Sequence, residues 1–227
     1  MTASPGSPHD QDAQHRTQPT ALPSLAEQVD RLVANGIPKL TDVSAETLRN
    51  FAEAHGADRT DALLVINREQ AQPSGLAPLL NRAGKPGFVV TDMTDVDDFT
   101  PTEVEAPNAA IYLVHDLDRG DHLANWSPAE AIPEIAGRNR SPLLLHEGIF
   151  WVLQNPQALE RNLCFMTVGS RLRKSNGRFD SRTPAIWISN GTGRDGTERR
   201  NAPKVGWCWW NNRHTWLGFA SASHRSA

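Results

Sequence analysis

The sequence predicts an α+β protein, with N-terminal helices and a short mixed sheet followed by a C-terminal antiparallel four-stranded meander. Three observations predict it. Capped segments with helical periodicity concentrate before residue 155. Short β-branched runs such as ALLVI and AAIYLV are interleaved with them. From Asn162 the runs LCFMTVG, PAIWIS, KVGWCWW and HTWLGFASA succeed one another, separated by Gly-rich or Asn-rich punctuation, as an antiparallel meander requires.

Residues 1–22, MTASPGSPHDQDAQHRTQPTAL, hold too few bulky apolar side chains to offset chain entropy, which predicts a disordered tail before a single domain over 23–227. Ser24 followed by Glu27 is a capping box opening a helix that carries Leu25, Val29, Leu32 and Val33 on one face. Ser44 caps a second helix to Ala54, stopped by Gly56. Ala62–Ile66, Gly87–Thr91 and Ala109–Val114 read as strands, and Leu76–Ala83 between the first two reads as a short helix, which suggests a crossover unit or a small mixed sheet. Ser127-Pro-Ala-Glu starts a helix to Gly137, with proline at the first helical position. His146–Leu153 reads as an apolar helix ending before Pro156, and the antiparallel sheet region spans 163–222.

A chain of 227 residues can bury about 70% of its unfolded surface without a disulfide or metal staple. No apolar run approaches the roughly 20 residues that cross a bilayer, and the N-terminus lacks a basic-then-apolar secretory order, so a cytoplasmic protein without a membrane partner is expected. Cys164 and Cys208 lie inside apolar runs and suit buried reduced thiols. The net charge of −3 hides a division: residues 1–160 carry 11 Lys+Arg against 23 Asp+Glu, and residues 161–227 carry 12 against 3. A split of that size means either an anionic partner for the C-terminal part or attraction between the two parts.

NWSPAEA, HEGI, CFMTVGSR, PAIWIS and PKVGWCWWNNRHTWLG, in that order and with GKPGFVVTDMTDVDDF upstream, resemble an uncharacterised family of small proteins from high-GC bacteria. The likeness runs from about Leu22 to Ser223. It brings no reaction, ligand, cofactor or fold with it, so chemistry has to be sought in the residues.

Five of the seven tryptophans, Trp187, Trp207, Trp209, Trp210 and Trp216, crowd the C-terminal strands. Indoles so concentrated build a core or line a binding surface. If Asn211-Asn212 is a two-residue turn, the hairpin pairs Trp209 with His214 and Trp207 with Trp216, and one face shows three indoles around an imidazole. Such a face stacks a planar or cationic ligand, with His214 as acid or base, or else packs as core. Glu147, at the start of an apolar helix, is the candidate partner of His214 if that helix packs on the tryptophan face. The candidate ligand-binding set is Trp207, Trp209, Trp216, Trp187 and Arg171, with Asn125 and Trp126 from NWSPAEA.

HDLDRGDH, with His115, Asp116, Asp118, Asp121 and His122, has oxygen and imidazole donors but no established metal spacing, and the acidic TDMTDVDDF shares that weakness. There is no G-x-S-x-G, H-E-x-x-H or P-loop motif, and Gly191-Thr-Gly193-Arg-Asp-Gly196, though spaced as G-x-G-x-x-G, is followed by charge and proline and not by a helix, which makes it a weak phosphate cradle; most common hydrolase, kinase and dehydrogenase readings are excluded. Arg171, Arg173, Lys174, Arg178 and Arg182 form one basic loop, and Arg194, Arg199, Arg200 and Lys204 another; beside tryptophans they suggest single-strand binding, against a pI of 6.2 and without any nucleic-acid signature. The leading expectation is a small organic ligand, anionic or aromatic, at the tryptophan-rich sheet. The rival is a nucleic-acid or protein interaction module that uses the basic loops.

Overall fold

The computed structural model describes residues 21–227, so the tail expected over residues 1–22 falls outside the described residues except for Ala21 and Leu22. The N-terminal half runs α1 (Leu25–Ala34), α2 (Ala45–His55), β1 (Ala62–Ile66), α3 (Pro73–Leu76), β2 (Asn81–Arg82), β3 (Lys85–Pro86), β4 (Phe88–Val89), β5 (Phe99–Pro101) and β6 (Ile111–His115). Then follow α4 (Pro128–Gly137), β7 (Ser141–Pro142), α5 (Leu145–Gln154), β8 (Cys164–Met166), β9 (Ser170–Leu172), β10 (Arg182–Ile188), β11 (Pro203–Trp209), β12 (Leu217–Phe219), β13 (Ser221–Ala222) and β14 (His224–Ser226). The class is α+β.

The predicted caps form. The Ser24 hydroxyl accepts from Glu27 N–H while the Glu27 carboxylate accepts from Ser24 N–H at 2.9 Å, closing the capping box of α1. The Ser44 hydroxyl accepts from Thr47 N–H at 3.0 Å, and the Glu130 carboxylate takes both Ser127 donors at the start of α4. The segment expected as a helix over Leu76–Ala83 is a single turn at Pro73–Leu76 that passes through a 3₁₀ turn into the β2–β3 hairpin. Pro78 and the positive φ angles of Ala83 and Gly84 favour a turn there over a continued helix.

Every residue of α5 is buried, which accounts for its apolar sequence on all sides. The helix packs against β1 on one side and β10 on the other, and touches α1 and α3. It is therefore the axis between two sheets. Its approach to the second sheet is close: a Cβ on Gly148 would lie 2.7 Å from Thr167 Cγ2. Buried apolar residues from Leu25 to Ala222 form one contiguous cluster around this helix.

The first sheet has the order β1-β6-β14, all antiparallel, with Ala62 opposite His115 and His115 opposite His224. β1 and β4 do not form a crossover unit: β4, which follows the first turn, joins the other sheet. That second sheet has the order β12-β8-β10-β11-β4. Its centre, β8-β10-β11, is the antiparallel meander expected, but both edges are parallel additions, β12 along β8 and β4 along β11. The predicted β11–β12 hairpin is thus absent. Asn212 N–H closes a turn onto Trp209 O, but the chain then crosses to the far edge, where Leu217 pairs with Cys164. Along β8 the strand is covered closely by the Arg119–Gly120 turn. A Cβ on Gly218 would come within 2.4 Å of Arg119 O, and one on Gly120, at φ 72°, within 2.1 Å of Phe219 O.

Candidate functional site

With the hairpin absent, the face of three indoles around His214 does not assemble as predicted. The aromatics form two groups instead. Trp207 and Trp209 meet edge to face at 4.5 Å between centroids, with Trp209 46% exposed. Trp187 on β10 meets Trp216 edge to face at 6.1 Å, and His214 packs on Trp216 at 5.3 Å. The second group borders an opening. Cys164 N–H donates to Trp216 O at 3.0 Å, which draws Trp216 against the end of β8 and leaves a cavity of about 180 Å³ lined by Trp187, Trp216, Arg161, Asn162, Asn190 and Ile188 with Cys164.

The chemistry of this cavity is defined by its rim. Arg161 Nη1 donates to Asn190 Oδ1 at 2.8 Å and Nη2 to Asn201 Oδ1 at 2.6 Å. Two of the five N–H donors of its guanidinium are therefore engaged, and the planar fork is held in place. Lys204 lies over the Trp187 ring at 5.0 Å, paired with Asp195 at 2.7 Å, so the indole already has a cation on it. Cys164 is a buried thiol whose pKa is pushed up to about 11 by burial, which makes it wall and not nucleophile.

Other expected site residues lie elsewhere. Arg171 is 7% exposed, stacks on Trp210 at 3.7 Å and donates to Asp180 O at 2.8 Å, as a packed structural cation. Burial pulls its pKa down and leaves its Nε without a partner. Asn125, at φ 70°, donates its N–H to His214 O at 2.8 Å, and Trp126 follows it half-exposed, so this pair braces the His214 loop outside the Trp187–Trp216 cavity. His214 Nε2 is buried without a partner, and burial lowers the pKa of the ring.

Glu147 does not meet His214. It sits in a second constellation at the N-terminus of α5. Its carboxylate accepts from Arg225 Nε at 2.6 Å and Nη2 at 2.7 Å, from the Tyr112 hydroxyl at 2.9 Å and from Leu144 N–H at 2.8 Å. Burial alone would raise the pKa of this carboxyl, but the Arg225 guanidinium, with the Leu144 N–H, lowers it below the ordinary value, so it is ionised. Arg225 also donates to Ser141 Oγ and Pro142 O, both at 2.9 Å, and is nearly fully buried. The Tyr112 hydroxyl lies 2.8 Å from His146 Nε2, and burial lowers the pKa of His146 to about 4. His146 in turn lines a cavity of about 460 Å³ bounded by Asn67–Glu69 and by the loop from Pro101 to Asn108. Sequence reasoning singled out His146-Glu147 but missed Tyr112 and Arg225, which stand 35 and 78 residues from Glu147.

The acidic segments turn out to be engaged by arginines. Asp121 and Glu160 hold the buried Arg119, and Asp116 holds Arg140. Among the described residues no group of three or more His, Cys, Asp or Glu is arranged to hold a metal ion. Arg182 pairs with Asp95, Arg194 with Asp92, Arg213 with Glu130 and Arg225 with Glu147. Much of the charge division read in the sequence is attraction between the two parts of the chain.

Fold and cavities define an α+β protein whose openings include one lined by Trp187 and Trp216 and one that His146 borders. No helix among the described residues is long and apolar enough to cross a membrane. The chain belongs to the family of unknown function DUF5701, whose model matches residues 31–227. Neither curated proteins nor solved structures give a match to it.

Proposed function

We propose that this protein binds a small organic acid with a planar ring in the cavity bounded by Trp187, Trp216 and Arg161. The observation that carries the reading is the meeting, in one opening of about 180 Å³, of two indoles set edge to face and a positioned guanidinium with donors to spare. An apolar cavity of roughly 150 Å³ accepts a benzene ring, so a single ring with a carboxylate matches the size. The ring packs on indole, and the carboxylate takes the remaining Arg161 donors in a charge-assisted bond. His214, set 5.3 Å from the Trp216 ring with its Nε2 buried and unpartnered, then serves as packing for Trp216.

The interaction-module reading loses ground on one observation. Arg182, Arg194, Lys174 and Lys204, four cations of the basic loops, are paired with Asp95, Asp92, Asp180 and Asp195, which leaves a weaker field for a polyanion. Titration of the full chain with benzoate, followed by tryptophan fluorescence, tests the binding reading. Saturable quenching is expected with benzoate and not with acetate, weakened roughly tenfold or more in Arg161→Ala, the worth of a hydrogen bond to a charged group. Identical titrations for wild type and Arg161→Ala would refute it.

A further inference from the structure

The Tyr112 hydroxyl has one proton to give, and it stands between two neighbours. Glu147, ionised by Arg225, only accepts, so the Tyr112 proton goes to Glu147 Oε1 at 2.9 Å. The 2.8 Å contact with His146 then requires Nε2 to carry a hydrogen and donate it to the tyrosine oxygen. This assigns the tautomer: Nδ1 is the unprotonated nitrogen. Among the described residues Nδ1 has no hydrogen-bond partner, and it is not one of the buried side-chain atoms left without one. His146 is 2% exposed, and the surface it keeps is in the wall of the 460 Å³ cavity. A buried imidazole, aimed by a tyrosine and a carboxylate behind it, thus offers a lone pair to an opening large enough for a small molecule. Ligating histidines are oriented by such outer partners.

The rest of the wall decides what that lone pair would meet. Glu69 and Glu105 are exposed there, and neither carboxylate has an ion-pair partner among the described residues. Arg68, the one cation of the wall, donates its Nη2 to Asp97 O at 2.6 Å and has no carboxylate partner among the described residues, so the wall sets two carboxylates against one guanidinium. Val104, Ala106 and Pro107 supply apolar surface between the polar groups. An acceptor at the floor and unpaired carboxylates at the rim favour a donor-bearing cation over an anion. We propose that this cavity is a second binding site, for a small organic amine, in which His146 Nδ1 accepts a hydrogen bond from the ammonium group and Glu105 and Glu69 supply its counter-charge. It shares no lining residue with the Trp187–Trp216 cavity.

The test uses the full chain with ¹⁵N-labelled histidine, putrescine as the probe and succinate as the anionic control at equal ionic strength. At pH 7 the spectrum of His146 should show Nε2 protonated and Nδ1 bare. Putrescine should move the Nδ1 resonance saturably in the millimolar range, and succinate should not. Glu105→Gln, an exposed change that leaves the urea midpoint in place, should raise the putrescine midpoint by roughly a factor of two to five, the worth of one exposed ion pair. A protonated Nδ1, an Nδ1 resonance indifferent to putrescine, an equal response to succinate, or an unchanged midpoint in Glu105→Gln would each overturn the proposal.

Discussion

Replacing Arg225 with methionine removes the counterion of a carboxylate that has no contact with solvent. Glu147 is fully buried, Arg225 is 4% exposed at its side chain, and the two share a pair of bonds at 2.6 and 2.7 Å. Methionine keeps much of the aliphatic volume but strands the charge. Breaking a buried pair from one side costs about 3–5 kcal/mol, and a chain of this size loses roughly 2–4 °C per kcal/mol, so a fall of roughly 6–20 °C in thermal midpoint is expected at pH 7. The pH dependence gives a sharper signature. In the wild type the Glu147 pKa is lowered from its ordinary 4.5, so its contribution is fully present above that value and is lost as pH falls through the folded-state pKa. In Arg225→Met burial acts unopposed by the guanidinium and raises the folded-state pKa above 4.5. The variant is then best placed below the unfolded value and loses stability as pH rises through the folded one. The gap between the two proteins should accordingly widen from pH 5 to pH 8 in urea melts, and Glu147→Gln in the Arg225→Met background should flatten it. A gap under about 1 kcal/mol at pH 7, or one that does not change with pH, would show that the carboxylate is not held ionised by Arg225.

Gly120→Ala should cost roughly 1–3 kcal/mol or more, because its φ is 72° and the new Cβ would fall 2.1 Å from Phe219 O; a thermal midpoint equal to wild type would contradict the close approach of that turn to β12. Cys164 and Cys208, pushed up to about 11 and about 12 by burial, should stay unreactive toward a disulfide reagent at pH 8 until urea unfolds the chain, and fast labelling of the native protein would contradict their placement. Any binding of a labelled single strand should be weak and should vanish with added salt, since the basic loops hold ion pairs and nothing addresses base edges; tight, salt-resistant binding with sequence preference would revive the interaction-module reading.

What the sequence made legible was local. The caps at Ser24, Ser44 and Ser127, the buried runs of β1 and β6, and the meander strands β8, β10 and β11 are written in short-range spacing, and they appear where that spacing puts them. The β11–β12 hairpin failed because Asn211-Asn212 specifies a turn but not the partner of the strand beyond it. In the structure that strand lies along β8, packed against the Arg119–Gly120 turn about 90 residues upstream, a contact that local spacing cannot encode. The same limit applies to the sites. Tryptophan density pointed to the C-terminal sheet, and Trp187 and Trp216 do line a cavity there, but Arg161 gave no signal at a distance of 55 residues from Trp216. His146-Glu147 stood out in sequence, yet its meaning depends on Tyr112 and on Arg225, an arginine in an otherwise unremarkable polar stretch that becomes the buried counterion only because β14 pairs with β6.

The claim that the Trp187–Trp216 cavity receives a planar acid is tested most directly by the indole N–H resonances of the ¹⁵N-labelled protein. Each of the seven tryptophans gives one such signal, assignable by single Trp→Phe changes. On titration with benzoate the signals of Trp187 and Trp216 should shift together and saturate, while that of the buried Trp151 stays in place. Saturable shifts confined to Trp126 or Trp209, or no saturation at any indole, would contradict the account.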